Sequence, residues 1–172
     1  MISLLTTLAR ADGVAFVGAT LYPVSAPPIS DGVLIIRDDR ISAIGSRADT
    51  QVPENVELID VTGRTIIPGL VDTHSHIGGG RLHENLDRLQ PGISAVDAID
   101  PSHASIQRAQ AGGITTANIM PGSGKLMGGQ TAYVKLRDTD VVDDMLLCRQ
   151  PEAPLLVDEG APMRWQICGG MK

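Results

Sequence analysis

Apolar and polar residues alternate along the first part of the chain in short runs that are typical of β-strands. The pattern predicts four strands, over Val14–Leu21, Gly32–Arg37, Arg40–Ile44 and Val56–Val61. The pair Asp38-Asp39 separates the second and third strands and predicts a tight hairpin turn between them. Four such strands make half of a small sandwich or open barrel.

The pattern changes after Thr65. Residues 66–71 are nearly continuously apolar, which is typical of a strand that is buried on both faces in a parallel sheet. Ala104–Ala111 is predicted as a helix, with Ser102 as its N-cap and the pair Gly112-Gly113 at its C-terminal end. Ile114–Met120 is the next predicted strand. Strand, helix and strand in this order predict a βαβ unit with parallel pairing.

The remaining segments are less regular. Residues 81–101 are polar and are predicted as a long loop. Pro121–Gln130 is a glycine-rich loop at the carboxyl end of a predicted strand, the end that carries the chemistry in α/β folds. Thr131–Leu136 is predicted to be extended, and Val141–Leu147 fits either a helix or a strand.

The glycine-rich loop invites a phosphate-binding interpretation, but it matches no phosphate motif. A P-loop requires Ser or Thr after Gly-Lys, and here Leu126 follows Gly124-Lys125. The glycine spacing also differs from that of the dinucleotide-binding fingerprint. We therefore favour a tight loop whose backbone approaches a ligand or another loop, with a dedicated phosphate site as the alternative.

The strongest candidate chemistry lies in the segment Gly69–Ile77, where His74 and His76 stand two residues apart. In a strand, residues i and i+2 point to the same face, so Asp72, His74 and His76 are expected to project together. Two imidazoles on one face can share a divalent metal ion such as Zn, Fe or Ni. The alternative is two ordinary histidines at the end of a strand.

Other candidates are weaker. His83 follows a glycine triplet and could approach the same site, although a surface position is favoured for both His83 and His103. Asp72 could act in acid–base chemistry, but an orienting carboxylate is the simpler interpretation. Nucleophilic catalysis finds little support, because Ser75 is expected to face away from the histidines and no G-x-S-x-G motif is present.

Composition excludes several classes of function. The 172 residues allow one domain or two small ones, and a net charge of −6 without a basic cluster argues against nucleic-acid binding. Cys148 and Cys168 form neither a disulfide framework nor a four-cysteine zinc site, and they fit a reducing compartment. Met1–Arg10 lacks a basic n-region and no run is long enough to span a membrane, so we expect a cytoplasmic location.

Two stretches carry a resemblance to a known family. Thr65–His76, which reads TIIPGLVDTHSH and follows a short β region, resembles the amino-terminal part of the amidohydrolase superfamily. Ala111–Gln130 is similar to the branch related to imidazolonepropionase and the amidohydrolase-type prolidases. The resemblance covers about residues 14–137, which is most of the chain.

The resemblance implies an α/β fold, a partial (β/α)8 TIM-type barrel preceded by part of a small composite β-sandwich. The sandwich part would span residues 13–66, and the first barrel strands and helices residues 67–172. His74 and His76 would bind the first, more buried divalent metal, with zinc as the first candidate and Mn, Fe or Ni as alternatives. Asp72 would support them, and His83 would contact the substrate.

The reaction implied by the resemblance is attack of metal-activated hydroxide on the C–N bond of a small amide or dipeptide-like substrate. A complete barrel takes about 250 residues, so we interpret the chain as a truncated or split amidohydrolase.

The family's other ligands, a lysine, two histidines and an aspartate, come from later strands, and no lysine here matches by motif. We expect weak or no activity alone; the alternative is a non-catalytic partial barrel that associates through exposed sheet edges with another chain.

Overall fold

The computed structural model describes residues 12–79 and 88–147. The chain divides into two compact units, Met1–Pro68 and Gly69–Lys172. The first unit contains strands β1 (Val14–Leu21), β2 (Ile29–Arg37), β3 (Arg40–Ser46), β4 (Glu57–Asp60) and β5 (Thr65–Ile66). The second contains β6 (Leu70–Ser75), a 3₁₀ turn (Ala95–Ala98), α1 (Ala104–Ala111), β7 (Ile114–Ile119), β8 (Ala132–Lys135) and α2 (Val142–Met145). No helix in these described ranges is long and apolar enough to cross a membrane.

The first unit is one mixed sheet in the order β3-β2-β1-β4, with the short strand β5 also paired to β1. β1, β2 and β3 form antiparallel pairs, whereas β4 and β5 run parallel to β1. The predicted hairpin is confirmed, because Arg37 pairs with Arg40 and both turn residues, Asp38 and Asp39, have positive φ. Positive φ at both positions of a two-residue loop is the type I′ geometry.

A β-bulge at Gly18 divides the core of this sheet in two. The register of β1 against β2 shifts between Val17 and Ala19, across Gly18, which has a φ of 90°. Before the bulge, Ala15 and Val17 pack in one apolar cluster; after it, Ala19 and Leu21 pack in another. An extra residue in a strand reverses the face of every side chain that follows. β1 therefore contributes side chains to two separate clusters.

The second unit contains a three-stranded sheet in the order β6-β7-β8. β6 and β7 are parallel and α1 lies between them in sequence, so the predicted βαβ unit is confirmed. β8 pairs with β7 in the antiparallel direction, which departs from the all-parallel sheet of a barrel. Eight buried residues form the core of this unit: Ala95, Ile106, Ala117, Ile119, Ala132, Val134, Leu136 and Met145.

Two expectations about local structure were wrong. The strand expected to be buried on both faces begins only at Leu70, and Leu70 and Val71 are 50% and 57% exposed. The cause is that Pro68 and Gly69 interrupt the apolar run and that β6 is the last strand in the order of its sheet. The N-cap of α1 is His103 rather than Ser102, because the His103 ring accepts a hydrogen bond from the backbone N–H of Ser105.

The other segments have the structure that the sequence predicts or lie outside the described residues. α1 has the predicted bounds, and the segment that fitted either helix or strand contains the short helix α2. The long loop is described from residue 88 onward, where it contains the 3₁₀ turn. His83, Cys148 and Cys168 lie outside the described ranges.

The Gly18 bulge gives a first prediction. Gly18→Ala should lower the free energy of unfolding by about 2–3 kcal/mol, because the added methyl strains a left-handed backbone. The methyl also meets the Thr62 side chain. Gly63→Ala is the matched control, since Gly63 has a φ of 76° but open space around it; it should cost only about 1 kcal/mol. Urea unfolding of both variants measures the difference, and equal losses would contradict the steric argument.

Candidate metal site

The two histidines lie at the carboxyl end of β6. His74 is the penultimate residue of the strand and His76 follows its last residue. Their ring centroids are 5.3 Å apart and their planes make an angle of 79°. Both side chains are exposed, although the resemblance implies the more buried of two metals. The strand therefore presents two adjacent imidazoles.

This spacing fits two ligands of a single ion. With a metal–nitrogen distance of about 2.1 Å and tetrahedral angles, the centres of two imidazoles on one ion lie roughly 5 Å apart. The observed separation of 5.3 Å agrees with that value. The centroid separation is therefore compatible with two ligands of one ion.

A backbone carbonyl fixes the protonation of His76. Its Nδ1 lies 2.9 Å from the carbonyl oxygen of Met120, the residue that follows β7. A carbonyl oxygen can only accept, so Nδ1 must carry the proton and donate. In a neutral ring the lone pair is then on Nε2, where a metal can bind. A hydrogen bond from the second ring nitrogen to a carbonyl is the usual support of a metal-binding histidine.

Asp72 acts on the backbone of His74. Its Oδ1 accepts a hydrogen bond of 3.0 Å from the His74 N–H. The strict alternation expected for this strand is interrupted here: Asp72 pairs with Ala117 and Ser75 with Ile119, so two residues of β6 stand opposite one residue of β7. This is a bulge, and the Asp72 carboxylate holds the backbone within it.

The chain just after His76 is anchored at the start of α1. The N–H of Gly78 donates to the Ser105 hydroxyl over 3.0 Å, and its carbonyl accepts from the Asp100 N–H over 2.9 Å. The same hydroxyl lies 2.7 Å from Nδ1 of His103. His103 therefore caps α1. It also contacts Ser105, whose hydroxyl holds the segment that follows the two imidazoles.

The glycine-rich loop binds another loop. The Gln90 N–H donates to the Met127 carbonyl over 2.9 Å, and the Gln130 N–H donates to the Ile93 carbonyl over 2.7 Å. Gly129 has a φ of 123°, and a Cβ there would collide with the Ile93 carbonyl. The glycine thus permits a close backbone approach, which supports the interpretation favoured from the sequence.

The structure brings together some of the predicted site residues and not others. Within residues 12–79 and 88–147, no group of three or more His, Cys, Asp or Glu side chains is placed to hold a metal ion. Ser75 is buried, at 4% exposure, and His83 is outside the described part. Sequence reasoning missed the Met120 carbonyl, since a backbone acceptor leaves no residue-type signal. Its position at the end of the neighbouring strand was the available clue.

Comparisons with known proteins find relatives among the imidazolonepropionases. No family model matches the sequence. The chain is 34% identical over 122 residues to the imidazolonepropionase of Alkaliphilus oremlandii, covering 56% of this chain and 29% of that protein. It is 28% identical over 150 residues to the imidazolonepropionase of Rhizobium rhizogenes, covering 84% and 30%. The chain thus spans less than a third of the length of these relatives.

A solved structure shows the same likeness in three dimensions. An amidohydrolase from Thermotoga maritima superposes with a TM-score of 0.69 at 29% sequence identity, covering 78% of this chain and 36% of that one. Sequence and structure therefore point to the same group of enzymes. Together with the His-x-His pair at the end of β6, they make the chain similar in sequence and in fold to members of the amidohydrolase superfamily.

Proposed function

We propose that this chain carries the first metal-ligand pair of a metal-dependent amidohydrolase that hydrolyses the C–N bond of a small amide or dipeptide-like substrate. The observation that carries the proposal is the pair of imidazoles 5.3 Å apart, one of them oriented by a backbone carbonyl. The likeness to imidazolonepropionases supports a cyclic amide as one candidate substrate.

The fold proposed for this function is a partial (β/α)8 barrel preceded in the chain by part of a composite β-sandwich. Residues 13–66 would be the sandwich part and residues 67–172 the first barrel elements. The parallel β6–β7 pair with α1 between them supports this assignment, as does the superposition on the Thermotoga amidohydrolase. In that arrangement the carboxyl end of β6, with its two histidines, lies at the catalytic face of the barrel.

His74 and His76 would hold a divalent metal, with zinc as the first candidate and Mn, Fe or Ni as alternatives. When bound, such an ion lowers the pKa of its water and polarises the scissile carbonyl. Met120 keeps the His76 lone pair on Nε2, and Asp72 holds the backbone of His74. We further propose that His83 contacts the substrate.

We also propose that the chain alone has weak or no activity. Two imidazoles leave at least half of the coordination sphere of a divalent ion to other ligands or water. The described residues bring no third His, Cys, Asp or Glu to the pair. A general base positioned for the reaction is likewise not identified among them. Full activity would require ligands beyond this pair.

A second candidate function is association with another chain that supplies further strands. The exposed apolar residues Leu70 and Val71 favour it, because both lie on β6, the last strand in the order of its sheet. Exposed apolar side chains on an edge strand are a known route to strand pairing between chains. In this case the metal pair would function only in the assembly.

Removal of either imidazole tests the metal site. His74→Ala and His76→Ala should each weaken Zn²⁺ binding by about tenfold or more, since each removes one of two protein ligands. Competition with a chromophoric chelator measures the affinity. Arg108→Ala is the control, because Arg108 is an exposed residue of α1 in the same unit and a guanidinium does not ligate a metal ion. Equal affinity in all three variants and the wild type would refute the site.

Activity of the isolated chain tests the incomplete site. The purified protein with Zn²⁺ or Mn²⁺, assayed against cyclic amides and dipeptides, should show turnover close to that of the His74→Ala variant. The reason is that two ligands position no base for the reaction. Robust turnover that disappears in His74→Ala would overturn the proposed incompleteness while supporting the metal site.

The oligomeric state tests the second candidate. Size-exclusion chromatography at increasing concentration should show self-association that Val71→Lys weakens, since a lysine on an edge strand opposes pairing. Leu126→Lys is the control, because Leu126 is an exposed apolar residue of the same unit outside the strands. A monomer at every concentration would count against association through β6.

A further inference from the structure

Asn118 is a buried amide in the central strand of the second sheet. It is 8% exposed, and its Nδ2 donates to the Thr73 carbonyl over 3.4 Å. Within the part of the chain that the structure describes, its Oδ1 is buried without a hydrogen-bond partner. The Thr73 carbonyl can only accept, so the amide cannot be turned to satisfy both ends there. A buried acceptor without a partner destabilises a fold and calls for an explanation.

The position of Asn118 relative to His74 offers that explanation. Ala117 pairs with Asp72 and Ile119 with Ser75, so the single residue Asn118 stands opposite both Thr73 and His74. The bulge of β6 therefore lies directly across from this amide. Ala117 and Ile119 pack in the core with Ile106 of α1, which places Asn118 on the other face of β7.

Packing alone does not account for an asparagine here. A leucine of similar shape would fill the position without a buried unpaired acceptor of its own, at the cost only of the long hydrogen bond to Thr73. Side chains that lower stability are typical of functional sites. The contact with Thr73 adjoins His74, and Met120, two residues further along the chain, orients His76. The end of β7 thus contacts the chain beside both imidazoles.

We propose that Asn118 is a positioning residue for the metal pair: its amide holds the Thr73 carbonyl and so sets the backbone from which His74 extends toward the ion shared with His76. The inference rests on the proposed metal-dependent function. The buried, unpaired Oδ1 lowers the stability of the fold, and in return the amide fixes the backbone at His74. Asn118 acts through the backbone of β6 and has no role as a ligand.

The Asn118→Leu variant distinguishes a role in positioning His74 from a role in packing the core. Its free energy of unfolding should stay close to that of the wild type, because removal of the buried unpaired acceptor offsets the loss of the hydrogen bond to Thr73. Its affinity for Zn²⁺ should fall about ten- to hundredfold, the usual effect of losing a residue that orients a ligand. The absorption spectrum of bound Co²⁺ should also change. Thr116→Val, a polar-to-apolar change on the same face of β7, is the matched control and should alter neither quantity.

The outcomes are distinct. Unchanged Zn²⁺ affinity and Co²⁺ spectrum in Asn118→Leu, with wild-type binding intact, would overturn the inference and leave the proposed function standing. If the wild type binds Zn²⁺ no better than His74→Ala, the proposed function fails, and the inference fails with it. If the leucine variant does not fold, Asn118→Ser replaces it in the test, because a serine side chain is too short to reach the Thr73 carbonyl. A serine variant with normal Zn²⁺ affinity would refute the positioning role.

Discussion

The parallel pairing of β6 with β7 is the constraint on which the candidate site depends. The two histidines stand at the end of one strand, and the groups that fix them come from the end of the other. Met120 follows β7 and accepts from the His76 ring, while Asn118 within β7 contacts the backbone beside His74. Because parallel strands place their carboxyl ends at the same edge, these groups meet without long side chains having to reach across the sheet.

The loops around this edge hold it by backbone contacts that glycine makes possible. Gly78 turns the chain immediately after the histidines and bonds with both its N–H and its carbonyl. Gly129 allows the loop after Met120 to lie against Ile93. A glycine-rich loop in this molecule is therefore a means of close packing around a site. The bulge at Gly18 shows the same use of a left-handed glycine in the other unit.

Much of this arrangement follows from local sequence. The alternating runs predicted four strands of the first sheet, the two aspartates predicted the hairpin, and the helix of the βαβ unit was predicted with its bounds. Periodicity and turn chemistry act within a few residues, so a single sequence reveals them. The spacing of His74 and His76 gave the candidate ligand pair on the same local basis.

What the sequence did not reveal depends on register between distant segments. β5 has two residues and no pattern of its own, and it exists because it pairs with β1. The bulge opposite Asn118 is a property of two strands together, and the Met120 carbonyl carries no residue-type signal. The N-cap of α1 is His103 because its ring reaches Ser105, although N-cap propensity favours the serine at position 102.

The separation of 44 residues between His76 and Met120 has a consequence for the order of folding. The contact joins two strands through a crossover, so it cannot form until α1 and β7 have been synthesised and docked. During synthesis the two imidazoles leave the ribosome well before the carbonyl that orients one of them. Until the crossover closes, the histidine segment lacks the contact that fixes the His76 ring.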